Sequence, residues 1–160
     1  MKKLIILALV AFSTTSFAQS VKNGTIYKAH PYITKVNEMI TAYVKYDTVA
    51  MAVSYADTVK FYDSPDPKPY NLAQAKLNWR NIHDEWEQIA ITPRGYPDGL
   101  EYTSEGFVVQ SWWTVTAVNR KTKKKATFEQ AVFDTFNKAG KIVLELNYYD
   151  TSSLMEAMKP

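Results

Sequence analysis

Three runs of alternating polarity fill the C-terminal part of this chain, approximately Phe107–Asn119, Thr127–Asn137 and Lys141–Asp150. A lysine-rich turn joins the first two, and Lys138-Ala139-Gly140 joins the last two. Runs of this length, separated by short turns, read as a meander of long antiparallel strands. In the first run Phe107, Val109, Ser111, Trp113, Val115 and Ala117 share one face, which should pack on the rest of the protein. The opposite face still carries Trp112 and two valines, more apolar surface than water contact requires. In the last run Ile142, Leu144, Leu146, Tyr148 and Asp150 share a face.

What precedes the meander is mostly helical. Pro31 suits a first helical turn, and Tyr32, Ile33, Val36, Met39, Ile40, Tyr43 and Val44 recur at three- and four-residue spacing. Asp47 and Thr48 interrupt that stripe, and Asp47 is suited to cap a second short helix, Val49 to Tyr55. From Thr58 to Asp63 the pattern alternates as a strand does, until the proline-rich run Ser64 to Pro69 ends it. Asn71 and Gln74 have capping-box spacing, and Leu72, Ala75, Trp79, Ile82, His83, Trp86 and Ile89 form the apolar face of the helix that follows. Pro93, Gly95, Pro97 and Gly99 break it, and Leu100 to Thr103 reads as a short strand. Helices first and strands last predict an α+β fold with an antiparallel sheet.

The first 18 residues are expected to be a signal peptide. Lys2 and Lys3 form a basic start, Leu4 to Phe12 an apolar stretch too short to span a bilayer, and Ser16 and Ala18 the small residues before a cleavage site. Export is therefore expected, to the periplasm or the medium, with no membrane anchoring after cleavage. Mass spectrometry of the natural product should find Gln19 as its first residue; an intact Met1 on cytoplasmic protein defeats the expectation. Loss of Lys2 and Lys3 takes the net charge from +3 to +1. The one basic cluster, Arg120 to Lys125, sits in a single turn rather than along a face, so no nucleic-acid partner is expected. The chain has no cysteine, which excludes disulfides and thiolate chemistry. His30 and His83 are far apart, so no metal site and no cofactor are expected.

The chain resembles the nuclear transport factor 2-like superfamily, in its SnoaL-like and ketosteroid-isomerase-like branches. The residues that carry this are the helix break at Asp47 followed by Tyr55-Ala56-Asp57, the strand Trp113 to Val118, and Gly140-Lys141-Ile142 opening a last strand that ends on Tyr148-Tyr149-Asp150. The resemblance implies that residues 19–160 form one SnoaL-like domain, a cone-shaped curved sheet wrapped around the N-terminal helices and enclosing an apolar cavity. It also implies homodimers joined through the convex sheet face. The small apolar molecule expected in the cone is the implied ligand, with isomerase, cyclase or lyase chemistry on it, or none, as the implied activity. A non-catalytic binding or dimerisation module is the alternative.

By that resemblance Asp63 stands where ketosteroid isomerases keep their general base. Their two carbonyl-polarising residues map to Met39 and Val132, which cannot donate a hydrogen bond. Asp150 stands where SnoaL-like cyclases keep an acid/base aspartate, and their usual histidine maps to Glu145. The Asp-Arg-Asp arrangement of limonene epoxide hydrolases lacks an arginine on the central strands here. Asp63, Asp150 and His83 are thus the candidate catalytic residues, with Tyr43, Tyr55, Trp79, Trp86, Trp113 and Tyr148 as candidate pocket lining. Each also has a plainer role: Asp63 and Asp150 could cap turns, and a histidine between Trp79 and Trp86 on one helix face could be core packing.

Overall fold

Capping residues set the helices much as the pattern predicts. The structure is a computed structural model and describes residues 22–104 and 106–160; the expected signal segment lies outside them. Helix α1 (Pro31–Val44) begins at its proline, with His30 Nδ1 accepting the Tyr32 N–H at 3.2 Å. Asp47 Oδ1 accepts the Ala50 N–H at 2.9 Å and caps α2 (Thr48–Ala52). This helix is shorter than expected, and Tyr55 already belongs to strand β2 (Tyr55–Asp63). Asn71 Oδ1 accepts the Gln74 N–H at 3.0 Å and opens α3 (Leu72–Glu85). A last short helix, α4 (Ser152–Met158), follows the sheet.

Two strands depart from the sequence reading. Strand β1 (Gly24–Tyr27) is an exposed edge that pairs with β4 (Asp98–Tyr102). Strand β3 (Trp86–Pro93) occupies what reads as the end of the third helix, so Trp86 and Ile89 are strand residues. The cause is a bulge. Between Glu87 and Ala90, β3 carries one more residue than its partner, and Gln88 takes a left-handed φ of 53°. The extra residue separates the inward side chains Trp86 and Ile89 by three positions, the spacing of a helix face.

The remaining strands are β5 (Gly106–Asn119), β6 (Lys125–Phe136) and β7 (Ile142–Tyr149). The order across the sheet is β1-β4-β5-β6-β7-β2, with β3 also paired to β5. Both β4 and β3 use the long β5, one along Gly106–Gln110 and the other along Trp113–Asn119. The sheet is curved and unclosed, since β1 and β2 are its free ends. All pairings are antiparallel except β2 with β7, which run parallel.

Helices α1 and α3 cover the concave face. Val36 and Met39 of α1, Ala75 and Trp79 of α3, and Val59, Phe61, Val109, Trp113, Val132 and Ile142 of the sheet are buried together. Large aliphatic and aromatic side chains of this kind contribute roughly 1.5–3 kcal/mol each on full burial. As expected from alternation, Phe107 to Ala117 present odd-numbered residues inward, while Trp112 on the outer face remains 37% exposed. No helix among the described residues is long and apolar enough to cross a membrane.

Candidate functional site

The inner face of the sheet is a grid fixed by strand register. Phe61, Glu145, Asp134 and Val109 form one row across β2, β7, β6 and β5. Asp63, Asn147, Val132 and Ser111 form the next, and Tyr149, Gln130 and Trp113 the one after. Successive rows are two residues apart, about 6.6–6.8 Å. Between this grid and helices α1 and α3 lies a cavity of about 380 Å³. Its walls are largely apolar, including Met39, Ile40, Val132, Ile91 and the tryptophans at 79, 86 and 113. Its carboxyl groups are Asp63, Asp134 and Glu145.

Each carboxyl has a distinct set of partners. Tyr70 donates its hydroxyl to Asp63 Oδ2 at 2.7 Å. The proline-rich loop after β2 makes this contact: it folds back so that Tyr70 and Phe61 exchange backbone hydrogen bonds of 2.9 and 3.0 Å. The Tyr70 hydroxyl pKa is pushed well up, by burial and then by its bond to Asp63. Glu145 accepts the Tyr55 hydroxyl at 2.6 Å and the Asn147 amide at 2.8 Å, and Gln130 in turn donates to Asn147 Oδ1 at 3.0 Å. Burial drives the Tyr55 pKa well up, with Glu145 adding to the shift.

Asp134 is wholly buried, and neither of its oxygens has a donor among the described residues. Its cross-strand neighbour is Glu145, which places the two Cβ atoms about 4.5–5.5 Å apart. Two carboxylates this close, out of water, cannot both be charged. Burial raises the pKa of both, and the Glu145 charge pushes Asp134 further. Tyr55 and Asn147 stabilise charge on Glu145, whereas Asp134 has no such help. The shared proton therefore belongs on Asp134, facing Glu145, and the two titrate as a unit.

Of the residues expected at the site, Asp63, Tyr43, Tyr55, Trp79, Trp86 and Trp113 border the cavity. Asp150, His83 and Tyr148 do not. Asp150 is exposed and accepts the Ser152 N–H at 2.8 Å and hydroxyl at 2.7 Å, which hold its pKa below the usual range. That is a turn-capping arrangement rather than a desolvated base. The reason is a second bulge: Thr135 pairs with Leu144 but Phe136 with Ile142, so Val143 is an extra residue in β7. The slip turns Glu145, Asn147 and Tyr149 inward and sends Leu144, Leu146, Tyr148 and Asp150 to the other side. His83 packs against the Tyr46 and Tyr43 rings, at 4.5 and 5.4 Å, and burial lowers its pKa. Sequence reasoning missed Asp134, Tyr70 and Asn147 and passed over Glu145. The signal for Asp134 was its position two residues from both Val132 and Phe136, a charge on an inward face.

No protein-family model and no curated protein matches the chain. Solved structures do. A nuclear transport factor 2-like protein from Burkholderia thailandensis superimposes with a TM-score of 0.66 at 20% identity, over 82% of this chain and 100% of that one. The chain has the nuclear transport factor 2-like fold. A protein from Xanthomonas campestris assigned as a polyketide cyclase has a TM-score of 0.63 at 16% identity, over 83% of this chain and all of that one. An epoxide hydrolase from M. tuberculosis, of the limonene epoxide hydrolase-like type, gives 0.61 at 12%, over 79% and 88%. Met39 and Val132, the positions to which the resemblance maps carbonyl-polarising groups, line the cavity, and no arginine does so among the described residues.

Proposed function

We propose that this nuclear transport factor 2-like domain, acting outside the cytoplasm, binds a small, mostly apolar molecule in its cavity and moves a proton on it. One observation carries the reading: a roomy apolar cavity, about 380 Å³, with the Asp63 and Glu145 carboxyl groups on one wall. Asp63 is the proton acceptor. Tyr70 occupies its Oδ2, and no hydrogen bond among the described residues engages Oδ1. The Asp134–Glu145 pair supplies a proton reservoir beside it, since burial makes the pair hold a proton more tightly than an exposed carboxyl does. Enzymes acting on small molecules occur among the fold neighbours, which makes such chemistry compatible with the architecture.

The test is independent of the natural substrate. 2-Indanone is a compact apolar ketone with activated C–H bonds, and exchange of its protons with D2O is read by NMR. The native protein should accelerate exchange, and Val132→Trp, which fills the cavity, should abolish the effect. Binding of 2-indanone without acceleration would leave a non-catalytic binding module.

Dimerisation is proposed on separate grounds. On the outer face Trp112, Ala131 and Tyr148 lie in one row, with Phe133 and Leu146 in the adjacent one. Trp112 and Tyr148 are 37% and 50% exposed, and an apolar aromatic patch of this kind suits the centre of a subunit interface. Trp112→Glu should turn a dimer into a folded monomer in sedimentation. A native protein that is monomeric at micromolar concentration removes this proposal.

A further inference from the structure

The cavity's hydrogen-bonding surface is weighted toward acceptors. Tyr55 and Asn147 donate to Glu145, Gln130 to Asn147, Tyr70 to Asp63, and the Trp113 indole to Ser111 Oγ at 2.9 Å. These donors are committed to protein acceptors, the Tyr43 and Tyr149 hydroxyls remain for a ligand, and acceptor capacity on the carboxyl oxygens of Asp63 and Glu145 is left over. The charge is one-sided too. Three carboxyl groups border the space, and no lysine, arginine or histidine does so among the described residues. Even with one proton shared by Asp134 and Glu145, the wall keeps a negative charge without a protein counter-ion. Aromatic rings also line the space, Tyr43 and Trp79 on the helices and Trp86 and Trp113 on the sheet.

From these observations we infer that the molecule held in this cavity is an organic cation, an apolar body bearing one ammonium group. The inference rests on the proposed reading of the cavity as a ligand site and names the ligand's charge. A neutral ligand with only acceptor groups can meet the Tyr43 and Tyr149 hydroxyls but leaves the carboxyl oxygens of Asp63 and Glu145 unpaired. An anion meets like charge with nothing to offset it. An ammonium supplies both missing partners: N–H donors for the carboxyl oxygens, and positive charge that aromatic faces attract. The cavity is partly screened from water, which strengthens each of these contacts relative to the surface.

Three probes of matched shape decide it: 2-indanylammonium, 2-indanol and indane-2-carboxylate, titrated into the full-length mature protein at pH 7 by calorimetry. The ammonium is expected to bind at least about tenfold more tightly than the alcohol, a difference of roughly 1.4 kcal/mol, and the carboxylate not measurably. Asp63→Asn and Glu145→Gln should each lower the ratio of ammonium to alcohol affinity about tenfold. Circular dichroism checks that each variant is folded, and the ratio in the native protein stands even if one is not. If the alcohol or the carboxylate binds as well as the ammonium, the cation inference fails while the ligand-site reading survives. If none of the three binds the folded protein, both fail.

Discussion

Asp63→Asn lowers the rate of 2-indanone proton exchange about 10²- to 10⁴-fold, the usual worth of a positioned base. Asparagine keeps the shape and still accepts the Tyr70 hydroxyl through its amide oxygen, so the cavity wall is preserved. What disappears is the oxygen that can take a proton. Binding of the ketone should change little, which puts the loss in turnover rather than affinity. Asp150→Asn serves as the control. Its side chain is spent on Ser152 outside the cavity, so exchange should proceed at the native rate. An Asp63→Asn protein that exchanges as fast as native defeats the assignment of the base, and a slow Asp150→Asn protein would move it.

Stability should fall as pH rises above about 4 and through the raised pKa values of Asp134 and Glu145, and Asp134→Asn should flatten that fall. In the unfolded chain Asp134 and Glu145 lose their protons near about 3.9 and 4.3. In the native chain burial raises both pKa values, the Glu145 charge raises that of Asp134 further, and the Asp63 charge adds to the rise at Glu145. Above about pH 4 and up to those raised values, the native state therefore binds more protons than the unfolded state. The slope of unfolding free energy with pH is then negative, at most about 1.4 kcal/mol per pH unit for each proton involved. The amide introduced by Asp134→Asn would present a permanent N–H to Glu145 in place of the titrating O–H. Urea unfolding at several pH values measures the slope directly. Equal slopes for native and variant would mean that the pair holds no extra proton. Carboxyls such as Glu87 and Glu156, held down by lysines, act in the opposite direction below about pH 4.5, and His83, whose pKa burial lowers, does so below about pH 6.5; both contributions are common to native and variant.

How much of this was legible in the sequence depended on bulges. Where strands ran without interruption, alternation placed every residue of β5 on its proper face, and the helix caps at Asp47 and Asn71 stood where short polar side chains predict. The curved sheet and the cavity were legible only through the family resemblance, which also pointed to Asp63, and Asp63 borders that cavity. The errors came at positions where one strand carries an extra residue. In β3 the bulge imitated a helical stripe through Trp86 and Ile89. In β7 it inverted the faces, so Asp150 was expected at the pocket, while Glu145, which borders it, was not among the expected site residues. A bulge depends on pairing with a distant strand, and no local pattern announces it. Tyr70 was hidden for a related reason, because its approach to Asp63 depends on how the proline-rich loop folds back onto β2. Asp134 was different: its inward position on β6 was readable from alternation alone.

The single extra residue at Val143 makes the inner surface of β7 a question of register. If the bulge closed by sliding the rest of β7 one residue along β6, with no residue removed, plain alternation would turn Leu144, Leu146 and Tyr148 into the space that Glu145, Asn147 and Tyr149 now border. Deleting Val143 would do the reverse: the pairs Phe136–Ile142, Thr135–Leu144 and Asp134–Glu145 would become consecutive, and the acidic groups would stay inside. The same strand can thus offer the cavity an acidic lining or an apolar one, and a slip of one position decides between them.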